Sequence, residues 1–357
     1  MRIVFLVPGC EGRPLPINGY SIRYGNAPSS GTEQSVILVS EYLVSRGHEV
    51  TIVIDKTDFK ETNGVRYTDF TYKGIPSEVD ILISMLWFEK YNEIPFRVKK
   101  TVGYWFHMAW GYSINEIAEF AKSQGTDVKL VYPSSFARYH ANFIEDIIKS
   151  KNIECSDWII PNPLDEKLIK EVKSRGIKKN PKKAIFLAQF SRGGALAEQA
   201  IKELGDEYSF ESFDYLDPQN GVDKKTILEK LAGAEYFIFP LYHPNGCVYK
   251  DTFSCSVAEA IAMETKVITY PLGAFTEYFN AGCYYVKFPD GADPNEMYRE
   301  KVSCDAFYMD VFDPFVSAVK HIEKDPSLFQ RFDITSNHIS SKFFDREIGK
   351  KWESIFF

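Results

Sequence analysis

Apolar positions along the chain fall in short blocks, separated by polar stretches whose own apolar residues recur at helical spacing. Ile3-Val4-Phe5-Leu6-Val7 is an unbroken apolar run closed by Pro8-Gly9, the pattern of a strand buried on both faces of a parallel sheet. A long polar loop follows. At Ser30-Gly31-Thr32-Glu33 turn residues give way to Val36, Ile37, Val39 and Leu43 at three- and four-residue spacing, which predicts a helix ending at Arg46-Gly47. Residues 49–54 read as the next strand. The same reading extends to strands at 79–84, 101–106, 129–132 and 158–160, with helical stretches after the last three. This alternation predicts a doubly wound α/β domain.

Beyond Pro161-Asn162-Pro163 a charged helical stretch runs into Lys178-Lys179-Asn180-Pro181-Lys182-Lys183, which reads as a solvated linker between two periodic regions. A second cycle then opens: strand 184–188, helix 194–204, strand 210–213, helix 225–231 and strand 236–239. Residues 254–264 predict a helix turning Val257, Ala258, Ile261 and Ala262 inward, followed by strand 266–269 and a turn at Gly273. From Pro314 onward the chain reads as helical, broken at Asp325-Pro326 and at 343–345. Its last segment is amphipathic through Ile348, Trp352 and Ile355.

Composition narrows the class. A length of 357 residues, at about 150 per domain, favours two domains. Apolar residues at 45% and charged residues at 25% supply a core and give no compositional case for disorder. Lys plus Arg is 42 against 49 for Asp plus Glu, a net charge of −7, which argues against nucleic acid as a partner and requires a local positive site for any anion. The six cysteines include no C-x-x-C pair and read as reduced, packed thiols. No apolar run approaches the roughly 20 residues that span a bilayer. Cytoplasmic localisation is therefore expected, with contact to a membrane only peripheral.

Missing motifs narrow the chemistry further. There is no G-x-G spacing for a dinucleotide pyrophosphate, no Walker lysine loop and no G-x-S-x-G elbow. No D-x-D pair stands ready to clamp a metal, so an anionic ligand is expected to bind without a fixed metal and without a cofactor. The most informative stretch is 249–263, where Asp251 and Glu259 lie eight residues apart among small and apolar residues. Asp251 fits the mouth of a helix whose N–H groups and partial positive charge suit a phosphate, and Glu259 fits the same crevice a turn and a half further on. Spacing alone favours the plainer reading, in which Asp251 or Ser254 caps that helix while Glu259 is solvated.

Phe239-Pro240 through Glu259-Ala260-Ile261-Ala262, then Thr265-Lys266-Val267-Ile268 and Gly273, resembles the nucleotide-sugar site of the retaining GT-B glycosyltransferases of family 4, with its E-x7-E motif followed by E-A-x-A. Here the first acid is Asp251. Gly31-Thr32-Glu33 is similar to the family's phosphate-side loop, Arg46-Gly47-His48-Glu49-Val50 to its turn into the second strand, and Ile160-Pro161-Asn162-Pro163 to its interdomain link.

The resemblance implies a GT-B fold: two Rossmann-like doubly wound domains, 1–164 and 165–339, facing a central cleft, with a C-terminal helix at 340–357 packing back on the first. It implies a nucleoside diphosphate sugar as donor and a hydroxyl of a glycan, glycolipid or small molecule as acceptor. Glu259 would accept from the donor ribose and Asp251 would contact the transferred sugar. Arg192, in Gln189-Phe190-Ser191-Arg192-Gly193-Gly194, would hold the diphosphate, with Lys250 in support because Gln189 stands where the family has a second cation. Phe253, Ser254 and Cys255 would complete the donor site, Gly31 and Thr32 would present N–H groups to it, and His107 would bond the sugar or orient groups around it. Trp105, Trp110 and Tyr112 would offer stacking surfaces to an acceptor. Without the resemblance, Arg192 reads as a surface residue at a helix start and His107 as a packed, hydrogen-bonded histidine. The competing functions are a non-catalytic nucleotide- or sugar-binding protein and another GT-B enzyme, such as a sugar-nucleotide epimerase or a phosphorylase.

Overall fold

The computed structural model describes residues 1–9, 16–25, 30–55, 57–85, 88–107, 114–141, 143–214, 222–241, 251–287, 313–329 and 332–356. Among them the chain forms two compact units, Met1–Asp165 together with Phe343–Phe357, and Glu166–Lys342.

The first unit is built on seven parallel strands in the order β3-β2-β1-β4-β5-β6-β7. These are β1 (Arg2–Val7), β2 (Glu49–Ile54), β3 (Arg66–Thr68), β4 (Glu78–Met85), β5 (Arg97–Trp105), β6 (Asp127–Tyr132) and β7 (Cys155–Ile159). Phe5 stands opposite Ile52 on one side and Ile83 on the other, so the first apolar run is the middle of the sheet. One face is covered by α2 (Gly31–Ser45), which brings Val36, Val39 and Leu43 to the core. On the other, α3 (Ile114–Gln124) contributes Ile117 and Ala121, α4 (Ser135–His140) contributes Ala137, and α5 (Phe143–Ser150) contributes Ile144 and Ile148. The polar stretch after β1 contains a further short helix, α1 (Gly19–Tyr24), which the apolar pattern does not announce; Asn18 caps it. Arg23 of α1 makes a bidentate pair with Glu41 of α2, both contacts at 2.8 Å, and a second ion pair with Asp165.

The second unit has five parallel strands in the order β12-β11-β10-β8-β9: β8 (Asn180–Leu187), β9 (Ser209–Phe213), β10 (Ala234–Phe239), β11 (Lys266–Thr269) and β12 (Cys283–Tyr285). Of its helices, α6 (Glu166–Lys173) precedes the sheet, and α7 (Gly194–Leu204), α8 (Lys224–Gly233), α9 (Cys255–Ala262) and α10 (Phe275–Tyr278) follow β8, β9, β10 and β11. Then come α11 (Asp313–Lys324) and α12 (Phe332–Ser341). From β8 the chain passes to β9 on one side, while β10 lies on β8's other side, so the adjacent strands β8 and β10 send their following loops in opposite directions. Ligands of open α/β sheets bind in the crevice beyond the carboxyl ends of such a strand pair.

The expected solvated linker at 178–183 is not one. Asn180 to Lys183 already belong to β8, with Lys183 paired to Glu211 at 2.9 Å, because a lysine stem can lie along a sheet while its ammonium stays at the rim. Lys179 goes inward and donates to the carbonyls of Ala232 (3.2 Å), Ala234 (3.0 Å) and Met263 (3.1 Å). One ammonium thereby caps the ends of α8 and α9. Burial pulls its pKa down to about 8.

The last helix, α13 (Asp345–Phe356), belongs to the first unit and lies against α2. Trp352 is 0% exposed, its ring 4.4 Å from that of Trp105 and 6.3 Å from that of Phe5. The chain enters this segment beside the point where it leaves the first unit: the Leu164 N–H donates to the Phe343 carbonyl at 2.6 Å, and the Asp345 N–H to the Leu164 carbonyl at 2.9 Å.

Candidate functional site

Beyond β8, residues 190–192 make one tight turn and the chain reverses through Gly193, at φ 108°, into α7. A side chain on Gly194 would meet the Phe190 ring 2.6 Å from Cε2, so the loop closes tightly on itself and holds Arg192 above the end of β8. Beyond β10, α9 opens with Ser254 as its cap, its hydroxyl accepting from the Val257 N–H at 3.3 Å. Ahead of the cap, the Asp251 carboxylate accepts from the N–H groups of Thr252 and Phe253 and from the Ser254 hydroxyl. Burial raises the pKa of this half-buried acid; the Arg192 charge and those hydrogen bonds oppose the rise. Arg192 and Asp251 are therefore electrostatic neighbours at the switch point between β8 and β10.

The third strand end fixes the second. Gly273, after β11, has φ +58°, and a methyl there would stand 2.8 Å from the Asp251 nitrogen and closer still to its carbonyl oxygen. The next residue, Ala274, donates its N–H to that carbonyl at 3.0 Å. Only glycine lets the two loops lie this close.

Glu259 is not solvated. It is 5% exposed in the second turn of α9, and its Oε2 meets Lys224 Nζ at 2.9 Å. Lys224 is the first residue of α8 and is itself buried at 9% exposure. The sequence reading missed this lysine, because in Asp223-Lys224-Lys225 nothing local separates a buried ammonium from a surface one. Its neighbour Lys225 reaches a different partner, Glu171 of α6, at 2.6 Å.

The other expected donor residues divide by role. The Phe253 ring is buried against Tyr278 and Phe279, with centroids 5.5 Å away in each case, so only its backbone faces the Asp251 loop. Cys255 is partly exposed, outside any disulfide, at the first position of α9. Lys250, Trp110 and Tyr112 lie outside the described residues.

In the first unit, Gly31 and Thr32 open α2, but their helix end is already capped. Ser30 Oγ accepts from the Thr32 N–H at 3.2 Å, and the Glu33 carboxylate returns to the Ser30 N–H at 2.8 Å. A phosphate reaching Thr32 would displace Ser30. Trp105, considered as a stacking surface, is 0% exposed and belongs to the core. His107 follows β5 with its ring 4.7 Å from that of Trp105, and burial pulls its pKa down to about 3. A neutral imidazole donates at one nitrogen and accepts at the other. With that pKa it takes up a proton too weakly at neutral pH to serve as a general base.

Among the described residues no group of acidic, histidine or cysteine side chains is arranged to hold a metal ion, and no helix is long and apolar enough to cross a membrane. No family model matches the chain, and no curated protein matches it. Solved structures do. Sucrose-phosphate synthase from Thermosynechococcus elongatus superposes with a TM-score of 0.62 at 12% identity, covering 99% of this chain and 98% of that one. HepE from Anabaena, in complex with UDP, gives 0.60 at 11% identity over 99% of each chain. AviGT4, a glycosyltransferase involved in avilamycin A biosynthesis, gives 0.57 at 14% identity over 99% of this chain and 96% of that one. Two Rossmann-like parallel-sheet units and these neighbours establish a GT-B fold.

Proposed function

We propose that the protein is a retaining glycosyltransferase that takes a nucleoside diphosphate sugar and moves its sugar to a hydroxyl acceptor on a glycan, glycolipid or small molecule. The observation that carries this reading is that Arg192 and Asp251 are electrostatic neighbours at the β8–β10 switch point, and that Asp251 directly precedes α9, whose second turn carries Glu259. Neighbours of the same fold were solved with UDP and with UDP-glucose.

Breaking the anomeric C–O bond leaves a cation-like sugar and builds negative charge on the departing diphosphate. Fixed charges aimed at those positions lower the barrier. In this reading Arg192 faces the diphosphate, assisted by the N-terminus of α9 and by Lys250. Asp251 holds Arg192 and the loop in place and meets hydroxyls of the transferred sugar. Glu259 accepts from the ribose. His107, neutral, bonds the sugar or acceptor without taking a proton from it, and the leaving phosphate accepts the acceptor proton. No metal or cofactor enters this scheme, and the compartment is read as cytoplasmic.

Purified protein incubated with UDP-, GDP- and ADP-sugars tests the proposal by slow donor hydrolysis and by transfer to simple glycosides. Release of nucleoside diphosphate from one donor class, abolished in Arg192→Ala, is the expected result. Binding without turnover of any donor would mark a sugar-nucleotide binding protein instead.

A further inference from the structure

We infer that Lys224 is a positioning residue for recognition of the donor's ribose, an inference that rests on the proposed nucleotide-sugar site. Its placement runs against two local preferences. A cation at the first position of a helix opposes the positive end of the helix dipole. A buried ammonium also loses its hydration, and that loss is recovered only through well-aimed partners. Lys224 nonetheless stands at the start of α8, 9% exposed, with its Nζ 2.9 Å from Glu259 Oε2. Asp223 caps the helix through its own side chain, accepting from the Thr226 N–H at 2.7 Å, so α8 has its N-terminal cap without Lys224.

The partner explains the position. Glu259 lies in the second turn of α9, beyond the end of β10, and Lys224 opens α8, beyond the end of β9. Both helices start at the carboxyl edge of the same sheet, so the pair spans two helix openings at the edge where the donor is placed. A vicinal diol is recognised by a carboxylate only when the carboxylate plane is fixed, because its two hydroxyls set two acceptor directions at once. Lys224 holds one oxygen of Glu259 and thereby sets that plane. It acts through Glu259 and does not touch the sugar. Lys225, one residue on, is spent on Glu171 in another direction and cannot substitute.

The test measures binding of UDP, GDP and ADP by calorimetry, each beside its 2′,3′-dideoxy analogue, to wild type, Lys224→Met, Lys224→Arg and Glu259→Gln. Wild type should prefer the ribonucleotide by about tenfold to a hundredfold, the range of hydrogen bonds to a charged acceptor. Lys224→Met should reduce that preference to within about threefold, while binding of the dideoxy form changes little. Lys224→Arg should restore part of it. Glu259→Gln keeps an oxygen acceptor without the charge and should also lose most of the preference, so a poorly folding Lys224→Met leaves two readable variants. A Lys224→Met protein that keeps the wild-type preference, or a Lys224→Arg protein that loses dideoxy and ribonucleotide binding equally, overturns the inference alone. Wild type that binds no diphosphate, or binds both forms equally, overturns the nucleotide-sugar reading and the inference with it.

Discussion

Gly273→Ala isolates the geometry that holds Asp251. The substitution introduces a Cβ at φ +58°, where an L-residue is strained by about 1–2 kcal/mol. It also places that Cβ 2.8 Å from the Asp251 nitrogen, and recovering the 3.4 Å of ordinary contact moves the Asp251 backbone by at least 0.6 Å. Gly176 provides the control: its φ is +59°, and a Cβ there meets nothing within 4 Å. Gly176→Ala carries the same conformational strain with no displacement. A misplacement near 1 Å at a reacting centre costs on the order of 10²-fold in rate. Gly273→Ala should therefore lose roughly tenfold to a hundredfold in donor turnover, while Gly176→Ala should lose about 1–2 kcal/mol of stability and keep its activity. Initial rates of nucleoside diphosphate release, read beside urea unfolding of both variants, make the comparison. Equal activity in the two variants would refute the claim that the β11 turn positions Asp251.

Arg192→Ala should cost about 2–4 kcal/mol of transition-state stabilisation, read as a fall in kcat/KM, with stability little changed; wild-type turnover would remove it from the diphosphate site. His107 ties stability to pH. Its imidazole stays neutral in the fold down to about pH 3, whereas an unfolded histidine takes up a proton near 6.5. The unfolded chain thus binds the extra proton between these values, and stability falls as pH drops through that window, by at most about 1.4 kcal/mol per pH unit. His107→Phe should flatten this slope in urea melts at pH 7 and pH 5, and an unchanged slope would rule the residue out as its source. Trp352→Ala should destabilise the first unit by about 3–5 kcal/mol, read from that unit's remaining tryptophan fluorescence, with the transition of the second unit, followed by amide hydrogen exchange, unmoved.

Much of this architecture is legible because a parallel sheet buried on both faces leaves continuous apolar runs. β2 and β11 appear in the sequence with the bounds they have in the fold, as does α7 between its glycines. Elements without such runs escape. α1 is held by the Asn18 cap and by Arg23 reaching Glu41 and Asp165, none of which is periodic. The three-residue strands β3 and β12 are too short to show alternation. The start of β8 hides behind lysines whose ion pairs, such as Lys182 with Glu323, are distant in sequence. The site divides in the same way. Asp251 and Glu259 stand in one local motif, whereas the Lys224–Glu259 pair joins residues 35 apart and needs the fold to bring them together.

The pairing of Leu164 with Phe343 and Asp345 has a consequence for biosynthesis. The half that leaves the ribosome first is completed by the stretch that leaves late, since Trp352 fills the space between Phe5 and Trp105. Glu166–Lys342 can close around its own core while the earlier sheet still waits with an uncovered aromatic face. A nascent chain halted before Phe343 would carry a finished second half and an unfinished first one, an exposed surface of the kind that chaperones and proteases bind.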